Sequence, residues 1–291
     1  MDCNLAVCQT NPTLGNLSAN LEMHVAAVDA ARDSGAQIAL FCELSLTGYF
    51  LKDQTAELAL TVDTPFFAPL LERSHGISIA FGFAERARDG RLYNSVAFVE
   101  DGRVLHVHRK VHLVSYGMFD EGRDFGAGAG FTAFKSRFGH FGILICEDFW
   151  HLPGPYLYFL QGVDAMLVPS ASPARGVSEL DRDESGAARL RSGTVWQRLL
   201  EARALLTQTY IVHANRVGWE DGIGFGGQSS AVDPFGRELG RLPPIESGRL
   251  AVRLDTGATR RARVQTPLRR DEKVWLLREE LARLEREGLV S

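Results

Sequence analysis

Three residues capable of chemistry each follow an apolar, strand-like segment of the sequence: Glu43, Lys110 and Cys146. An apolar run of this kind is typical of a buried strand, and in α/β sheets ligands and chemistry collect at the carboxyl ends of strands. Taken singly, each residue also has a structural explanation, as a surface carboxylate, a solvated lysine and a core thiol. Together, the three side chains indicate a site in which a cysteine attacks a carbonyl carbon.

The three residue types complement one another chemically. Cysteine attacks as the thiolate, and its free pKa of ~8.5 must be lowered, or a base must be supplied. A carboxylate such as Glu43 becomes a suitable base when partial burial raises its pKa. A nearby ammonium group such as that of Lys110 stabilises both the thiolate and the oxyanion formed at the carbonyl.

The alternation of elements predicts an α/β fold. The hairpin signal Asp101-Gly102 interrupts the order, which favours two mixed sheets sandwiched by helices over one open parallel sheet. We expect a single domain over 1–291 with a helical tail at 271–291. Strands are predicted at 4–9, 36–46, 77–83, 91–100, 103–108, 138–146, 164–169, 210–215, 228–233 and 250–254, and helices at 16–34, 64–75, 155–161, 195–209 and 271–287.

The composition of the chain argues against nucleic-acid binding, membrane insertion and a metal site. The chain has 291 residues, 45% of them hydrophobic, and a formal net charge of -4, so it offers no basic excess for nucleic acid. No stretch approaches the ~20 apolar residues of a membrane helix, and no secretory signal is present. The four cysteines have neither disulfide-framework nor zinc spacing, so we expect no metal and a reducing cytoplasm. The glycine-rich run 126–130 lacks a phosphate-loop pattern.

The segment 172–194 is small, polar and charged, and it follows a predicted strand end. One interpretation is an insertion over the mouth of a pocket that selects an acidic or amino-acid-like amide. Guanidinium groups bind carboxylates in a bidentate manner, and the segment holds Arg175, Arg182, Arg189 and Arg191. The competing interpretation is a surface loop without a role.

Three stretches, residues 41–49, 109–113 and 142–148, resemble the three motifs of the nitrilase superfamily of carbon–nitrogen hydrolases, in the same order. The resemblance extends from Leu5 to about Leu254. It implies a four-layer α-β-β-α sandwich, a Glu-Lys-Cys triad, no metal or organic cofactor, and a homodimer or larger assembly. An amphipathic C-terminal helix that needs cover agrees with self-association.

Further stretches, residues 116–125, 146–150, 169–173 and 226–229, are similar to one branch, the glutaminase domain of glutamine-dependent NAD synthetase. The sequence ends at Ser291, so we expect a stand-alone domain without a synthetase domain. The branch carries an aromatic residue and a Gly-Lys pair after the segment 169–173, whereas this chain has Ala174-Arg175-Gly176.

The resemblance assigns roles to individual residues. Cys146 attacks the amide carbon and Glu43 takes the thiol proton, while Lys110 and the backbone N–H of Glu147 stabilise the oxyanion. Glu121 matches the second glutamate of the branch, which holds the lysine and the substrate. The residues expected to bind substrate are Tyr49, Tyr116, Glu147, Trp150 and Ser172; for Tyr49 and Trp150, core packing is an equal alternative.

The implied reaction is hydrolysis of a small carboxamide to a carboxylate and ammonia, with glutaminase-like or ω-amidase-like activity. True nitrilases carry a tryptophan directly after the cysteine, so Glu147 favours amides over nitriles. Two alternatives remain: an ammonia-supplying subunit for a separate synthetase, and a non-catalytic binding protein on the same fold.

Overall fold

The computed structural model describes residues 2–175, 181–182 and 188–290. Numbered in chain order, the strands are β1 (Asp2–Gln9), β2 (Ile38–Leu40), β3 (Ser78–Arg86), β4 (Leu92–Glu100), β5 (Arg103–Arg109), β6 (Phe134–Ser136), β7 (Gly139–Ile143), β8 (Ala165–Ser170), β9 (Asp181–Arg182), β10 (Ala188–Arg189), β11 (Tyr210–Asn215), β12 (Val217–Glu220), β13 (Ile223–Gly226), β14 (Ser230–Val232), β15 (Glu238–Arg241) and β16 (Gly248–Asp255).

The α-helices of the described residues are α1 (Leu17–Asp33), α2 (Thr55–Leu58), α3 (Ala68–Arg73), α4 (Glu121–Asp124), α5 (Glu147–Trp150), α6 (Pro153–Gln161), α7 (Arg191–Thr207), α8 (Thr256–Gln265), α9 (Leu268–Asp271) and α10 (Val274–Arg286). Short 3₁₀ turns occupy Lys52–Gln54 and Pro65–Phe67. In this part of the chain, no helix is both long and apolar enough to cross a membrane.

The described strands form two six-stranded mixed sheets and two separate hairpins. The first sheet has the order β16-β1-β2-β3-β4-β5, and the second has the order β15-β14-β11-β8-β7-β6. In the first sheet β1, β2 and β3 run parallel, and in the second β7, β8 and β11 do so. The hairpin pairs are β9 with β10 and β12 with β13.

Side-chain alternation along the strands creates the layers. Leu5 and Val7 of β1 face the core between the sheets, together with Ile143 of β7, while Ala6 and Cys8 of β1 face outward. Helices α1 and α3 cover the outer face of the first sheet, and α6 and α7 cover that of the second. The predicted four-layer α-β-β-α sandwich with two mixed sheets is therefore confirmed.

Several predicted boundaries are wrong in ways that matter for the site. The strand expected over 36–46 ends at Leu40, and the strand expected over 138–146 ends at Ile143. In both places an apolar sequence continues past the sheet because the segment that leaves it is itself buried. Glu43 and Cys146 thus lie on turns beyond the strand ends.

Other differences from the prediction concern whole helices and strands rather than their boundaries. Helix α7 begins at Arg191, so residues 191–194 of the supposed insertion are its first turn. Helix α8 and strands β6, β12, β13 and β15 are not expected from the sequence. Their polar or glycine-rich sequences carry little apolar periodicity, and tertiary packing decides their conformation. Residues 176–180 and 183–187 of the segment lie outside the described residues.

The turn that carries Glu43 passes directly over β3 at Gly82. A Cβ atom at Gly82 would lie 2.3 Å from the backbone nitrogen of Leu44 and 2.7 Å from the carbonyl oxygen of Cys42. No side chain can be accommodated at such distances without moving the backbone. Glycine at this position therefore allows the glutamate turn to lie on the sheet.

Asp148 connects the ends of the two sheets. Its Oδ1 accepts hydrogen bonds from the backbone N–H groups of Val111 (3.0 Å) and His112 (2.8 Å), just beyond β5. Its Oδ2 accepts from the N–H of Ile145 at 3.2 Å and lies 2.9 Å from His108 Nε2. One buried carboxylate thereby holds the segment after β5 and the turn after β7 together.

Burial alone would raise the pKa of Asp148, but the hydrogen bonds from His108 and His112 outweigh it and hold that pKa well below its usual range. A carboxyl whose pKa is depressed in the folded state stabilises the fold above its unfolded pKa of ~3.9. That contribution is lost as the pH falls from this value through the folded pKa.

We expect Asp148→Asn to lower the free energy of unfolding at pH 7 by about 3 kcal/mol, because an amide cannot accept all of these hydrogen bonds. The difference from the unsubstituted protein should shrink as the pH falls below ~4. Urea denaturation at a series of pH values measures both effects. Asp164→Asn is the matched control, since Asp164 accepts the backbone N–H of His140. This variant should lose less free energy of unfolding than Asp148→Asn, and equal losses would contradict the role of Asp148.

Candidate active site

Cys146 lies on a sharp turn between β7 and α5. Its backbone has φ 45° and ψ -96°, and its N–H donates to the carbonyl oxygen of Pro169 at 2.9 Å. A positive φ is a strained conformation for a residue with a side chain, and such strain persists only where the surroundings impose it. The turn removes the thiol from the alternation of the strand and exposes it to a cavity at the sheet edge.

Glu43 is completely buried and its carboxylate is fully engaged. Oε1 accepts hydrogen bonds from Asn94 Nδ2 and Lys110 Nζ, each at 2.7 Å, and Oε2 accepts from the N–H of Ala171 at 2.8 Å. These donors come from β4, from the end of β5 and from the segment after β8. Both sheets therefore contribute to the orientation of this one carboxylate.

Lys110 lies between two carboxylates. Its Nζ is 2.7 Å from Oε1 of Glu43 and 2.7 Å from Oε1 of Glu121, and its side chain is inaccessible to solvent. The other oxygen of Glu121 accepts the N–H of Val114 at 3.0 Å. The hydroxyl of Tyr49 donates to the same Glu121 oxygen that Lys110 contacts. The structure thus brings Glu43, Lys110 and Glu121 together as a buried cluster.

Electrostatics within the cluster decide which groups carry charge. Burial by itself would lower the pKa of Lys110, but the carboxylates of Glu121 and Glu43 raise it well above its usual value. Burial raises the pKa of Glu43, against the opposing effect of Lys110. Burial and the negative charge of Glu43 raise the pKa of the Cys146 thiol, which Lys110 lowers in part. The thiol is therefore neutral at pH 7, and it needs a base when it reacts.

The other thiols lack this setting. Burial raises the pKa of Cys3 and of Cys8 to about 12, and that of Cys42 to about 11. All three are buried, whereas Cys146 is partly exposed at the cavity. Among the described cysteines, Cys146 combines an open approach with a neighbouring carboxylate and ammonium.

A cavity of about 710 Å³ opens at Cys146. All five residues predicted to bind substrate line it, together with Cys146: Tyr49, Tyr116, Glu147, Trp150 and Ser172. The Tyr116 hydroxyl donates to the Glu147 carboxylate at 3.0 Å, which places a negative charge at the cavity wall. The structure brings these residues to one place, and their binding roles remain predictions.

Two of the predicted residues also have structural partners. The Tyr49 hydroxyl is committed to Glu121, as described above, while its ring packs against Phe50 and Phe119. The hydroxyl of Ser172 accepts from Trp196 Nε1 at 2.9 Å, and the N–H of Ser172 donates to Asn215 Oδ1 at 2.8 Å. Both side chains therefore shape the cavity wall by being held in place.

The segment 172–194 contributes two of its four arginines to the mouth of the cavity. Arg175 and Arg191 line it beside Ser192 and Val195, the last two from the first turns of α7. The side chains of Arg182 and Arg189 lie outside the described residues. The two described ends of the segment thus line the cavity, and its position over the pocket mouth stays a prediction.

Other residues of the site have no signal in the sequence. Asn94 is a polar residue next to Ser95 within β4, and Trp196 resembles any apolar residue of an amphipathic helix. Val114, Phe119 and Ala171 also line the cavity. Only proximity in the fold identifies them. Among the described residues, no group of three or more His, Cys, Asp or Glu side chains is arranged to hold a metal ion.

Comparison with known proteins identifies the family of the chain. Residues 4–264 match the family model described as "Carbon-nitrogen hydrolase". A glutamine-dependent NAD(+) synthetase of Thermotoga maritima is 30% identical over 272 residues, which cover 91% of this chain and 44% of that protein. The chain thus spans less than half the length of this curated relative.

Solved structures show the same architecture. The glutamine-dependent NAD+ synthetase of Acinetobacter baumannii, in complex with ADP, superposes with a TM-score of 0.79 at 29% identity, covering 89% of this chain and 47% of that one. An amidase of Nesterenkonia AN1 from the nitrilase superfamily has a TM-score of 0.76 at 24% identity, covering 95% and 96%; this second likeness concerns the fold. The predicted superfamily is confirmed, and the chain belongs to the carbon–nitrogen hydrolase family.

Proposed function

We propose that the chain hydrolyses a small carboxamide to a carboxylate and ammonia through a thioester on Cys146. One observation carries the proposal: the ammonium of Lys110 lies 2.7 Å from each of two buried carboxylates, Glu43 and Glu121, beside the partly exposed thiol of a cavity. Membership of a family of carbon–nitrogen hydrolases supports the same reaction class.

In the first half-reaction Glu43 begins as a carboxylate. It takes the thiol proton as Sγ of Cys146 bonds to the amide carbon, and the π electrons of the carbonyl move onto its oxygen. Lys110 and the N–H of Glu147 stabilise this oxyanion. Collapse of the intermediate breaks the C–N bond, Glu43 returns its proton to the leaving nitrogen, and ammonia departs from the thioester.

In the second half-reaction Glu43 takes a proton from water, whose oxygen bonds to the thioester carbon. The C–S bond then breaks, the sulfur of Cys146 regains the proton from Glu43, and the carboxylic acid product leaves. The net charge of Glu43, Lys110, Glu121, Cys146 and the bound reactants together stays the same at each step, because each proton moves within this group, which suits a cluster shielded from solvent. Glu121 keeps Lys110 in place throughout.

The cavity supports an amide that carries a carboxylate, as in a glutaminase or an ω-amidase. Arg175 and Arg191 line its mouth, and a guanidinium binds a carboxylate with two parallel hydrogen bonds. Glu147, directly after the nucleophile, favours amides over nitriles. The relative of Thermotoga maritima is named a glutamine-dependent NAD(+) synthetase, and glutamine is a carboxamide that also carries a carboxylate.

A second candidate is an ammonia-supplying subunit. The Thermotoga maritima relative is named a glutamine-dependent NAD(+) synthetase and is a longer protein, of which this chain matches 44%. Ammonia release that rises on addition of a separate synthetase would favour this role over an independent amidase.

The four cysteines are free thiols, and we propose a cytoplasmic location on that ground.

The triad assignment predicts distinct losses in activity. Cys146→Ala should abolish ammonia release with the fold retained, because the thiol is the proposed nucleophile. Glu43→Gln should cost several orders of magnitude in kcat, and Lys110→Ala at least ~10²–10³-fold through loss of an oxyanion donor. The assay is ammonia release from glutamine, asparagine, ω-amidated acids, N-carbamoyl amino acids and aliphatic amides, with mass spectrometry of the acyl adduct. Near-normal rates, or an adduct on another cysteine such as Cys42, would refute the assignment.

The arginine assignment predicts a change in specificity. Arg191→Gln should raise KM for a carboxylated amide about tenfold or more, with little change in KM for a neutral amide of the same length, since only the former loses an ion pair. Arg175→Gln should act in the same direction. Arg198→Gln, in the same helix but outside the cavity lining, is the matched control and should change neither value. Equal effects on both substrates would leave the segment without a role in selection.

We also propose that the protein self-associates through α10. Val274, Trp275, Leu277 and Leu281 of this helix are each more than 40% exposed, and the predicted amphipathic tail thus has an uncovered apolar side. Sedimentation at micromolar concentration should show a species of at least twice 32.1 kDa. Leu277→Glu with Leu281→Glu should dissociate it, whereas Glu279→Gln should not; a monomer throughout would contradict the proposal.

A further inference from the structure

Arg216 is a fully buried arginine that the proposed reaction does not use. It lies between β11 and β12, and its Nη1 donates to the carboxylate of Glu220. Its Nη2 donates to the carbonyl oxygen of Pro12 at 3.1 Å, and its guanidinium stands 4.2 Å over the ring of Phe225. A buried ion pair of this kind costs several kcal/mol of desolvation per ion and is a poor source of stability. Its place in the fold therefore calls for another explanation.

The second oxygen of Glu220 connects this pair to the turn after β2. Oε2 accepts hydrogen bonds from the backbone N–H groups of Tyr49 (2.9 Å) and Phe50 (3.0 Å). Gly48, at φ 80°, allows the close approach, since a Cβ there would lie 2.8 Å from Leu14 Cα and 3.1 Å from Glu220 Oε1. The backbone of Tyr49 is thus held by a carboxylate that Arg216 holds in turn.

Tyr49 carries this constraint into the catalytic cluster. Its hydroxyl donates to Oε1 of Glu121, the oxygen that also accepts from Lys110 Nζ at 2.7 Å. A continuous series of contacts therefore runs from Arg216 through Glu220 and Tyr49 to Glu121 and Lys110. Every side chain in the series is at least nine-tenths buried.

We infer that Arg216 and Glu220 are positioning residues for the proposed active site. They fix the Tyr49 backbone so that its hydroxyl orients Glu121, and Glu121 then keeps Lys110 next to Glu43 and Cys146. The inference rests on the proposed function for its effect on turnover, but the reactivity of the thiol reports it without any substrate.

The reactivity of Cys146 depends on where Lys110 stands. The titratable groups that act on the thiol are Glu43, Lys110, Glu121, Tyr49 and Tyr116. Of these, Lys110 carries the positive charge that favours the thiolate. When Glu121 is free to turn away, Glu43 alone still holds Lys110. The ammonium is then positioned less firmly beside the thiol, and the thiolate becomes harder to form.

Two double variants of the full chain test the inference. Arg216→Met with Glu220→Met removes both charges and the acceptor for the Tyr49 N–H, and apolar replacement of a buried pair is commonly tolerated by the fold. Arg216→Met with Glu220→Gln removes the same charges but keeps an acceptor oxygen. Alkylation of Cys146 by iodoacetamide is followed by peptide mass spectrometry across pH, with circular dichroism as the check of folding.

Arg216→Met with Glu220→Met, the Met/Met variant, should move the pH midpoint of Cys146 alkylation upward by about one unit. A shift of this size is expected when an opposite charge next to the thiol is weakened. Arg216→Met with Glu220→Gln should reverse most of this shift, so that the midpoint lies close to that of the unsubstituted protein. Tyr49→Phe should produce the same upward shift, and adding it to the Met/Met variant should shift the midpoint no further. Asp221→Asn is the control. Asp221 lies on the same β12–β13 hairpin as Glu220 and forms an exposed ion pair with Lys52, so its substitution should leave the midpoint unchanged.

An unchanged midpoint in the Met/Met variant or in Tyr49→Phe, or additive shifts in their combination, would overturn the inference. Should the Met/Met variant fail to fold, Tyr49→Phe decides the question, because it leaves the buried pair untouched. The proposed function fails in a different way. If the unsubstituted protein releases no ammonia from any amide, amide hydrolysis is refuted, while the alkylation profiles still test the series of contacts.

Discussion

The burial of one ammonium group is the constraint on which the rest of this site depends. Lys110 is removed from water, and a charge in such a place is tolerable only when opposite charges and hydrogen bonds replace its hydration. Glu43 and Glu121 supply those charges at 2.7 Å each. Any arrangement of the chain that separated the three would leave an unpaired buried charge. The cluster that would perform the chemistry is therefore also one that the folded state cannot easily rearrange.

The two sheets meet at this cluster, and each fixes one part of it. Glu43 and Lys110 come from the first sheet, while Cys146 and the N–H of Ala171 come from the second. Asp148 ties the segment around Lys110 to the turn at Cys146 through five hydrogen bonds to its two oxygens, from His108, Val111, His112 and Ile145. The strained backbone of the cysteine is thus maintained by contacts on both sides of it, which is how folds keep a reactive group in a costly conformation.

Much of the fold follows from local sequence. The apolar run over 4–9 and the hairpin signal at Asp101-Gly102 predict strands that the structure confirms. The ends of β2 and β7 cannot be located in this way, because apolar sequence continues into buried turns. Helix α8 and the hairpin β12–β13 also escape prediction, since their conformation depends on packing against distant parts of the chain.

By itself, the sequence determined the types of the residues proposed to react and the order in which they occur, so that Glu43, Lys110 and Cys146 can be singled out from their motifs alone. Only the tertiary structure decided which atoms meet. Contacts such as Asn94 with Glu43, separated by 51 residues, or Glu220 with Tyr49, separated by 171, leave no periodic or local signal. They arise because strand order and turn geometry bring remote segments to one sheet edge, and that arrangement is set by the packing of the two sheets.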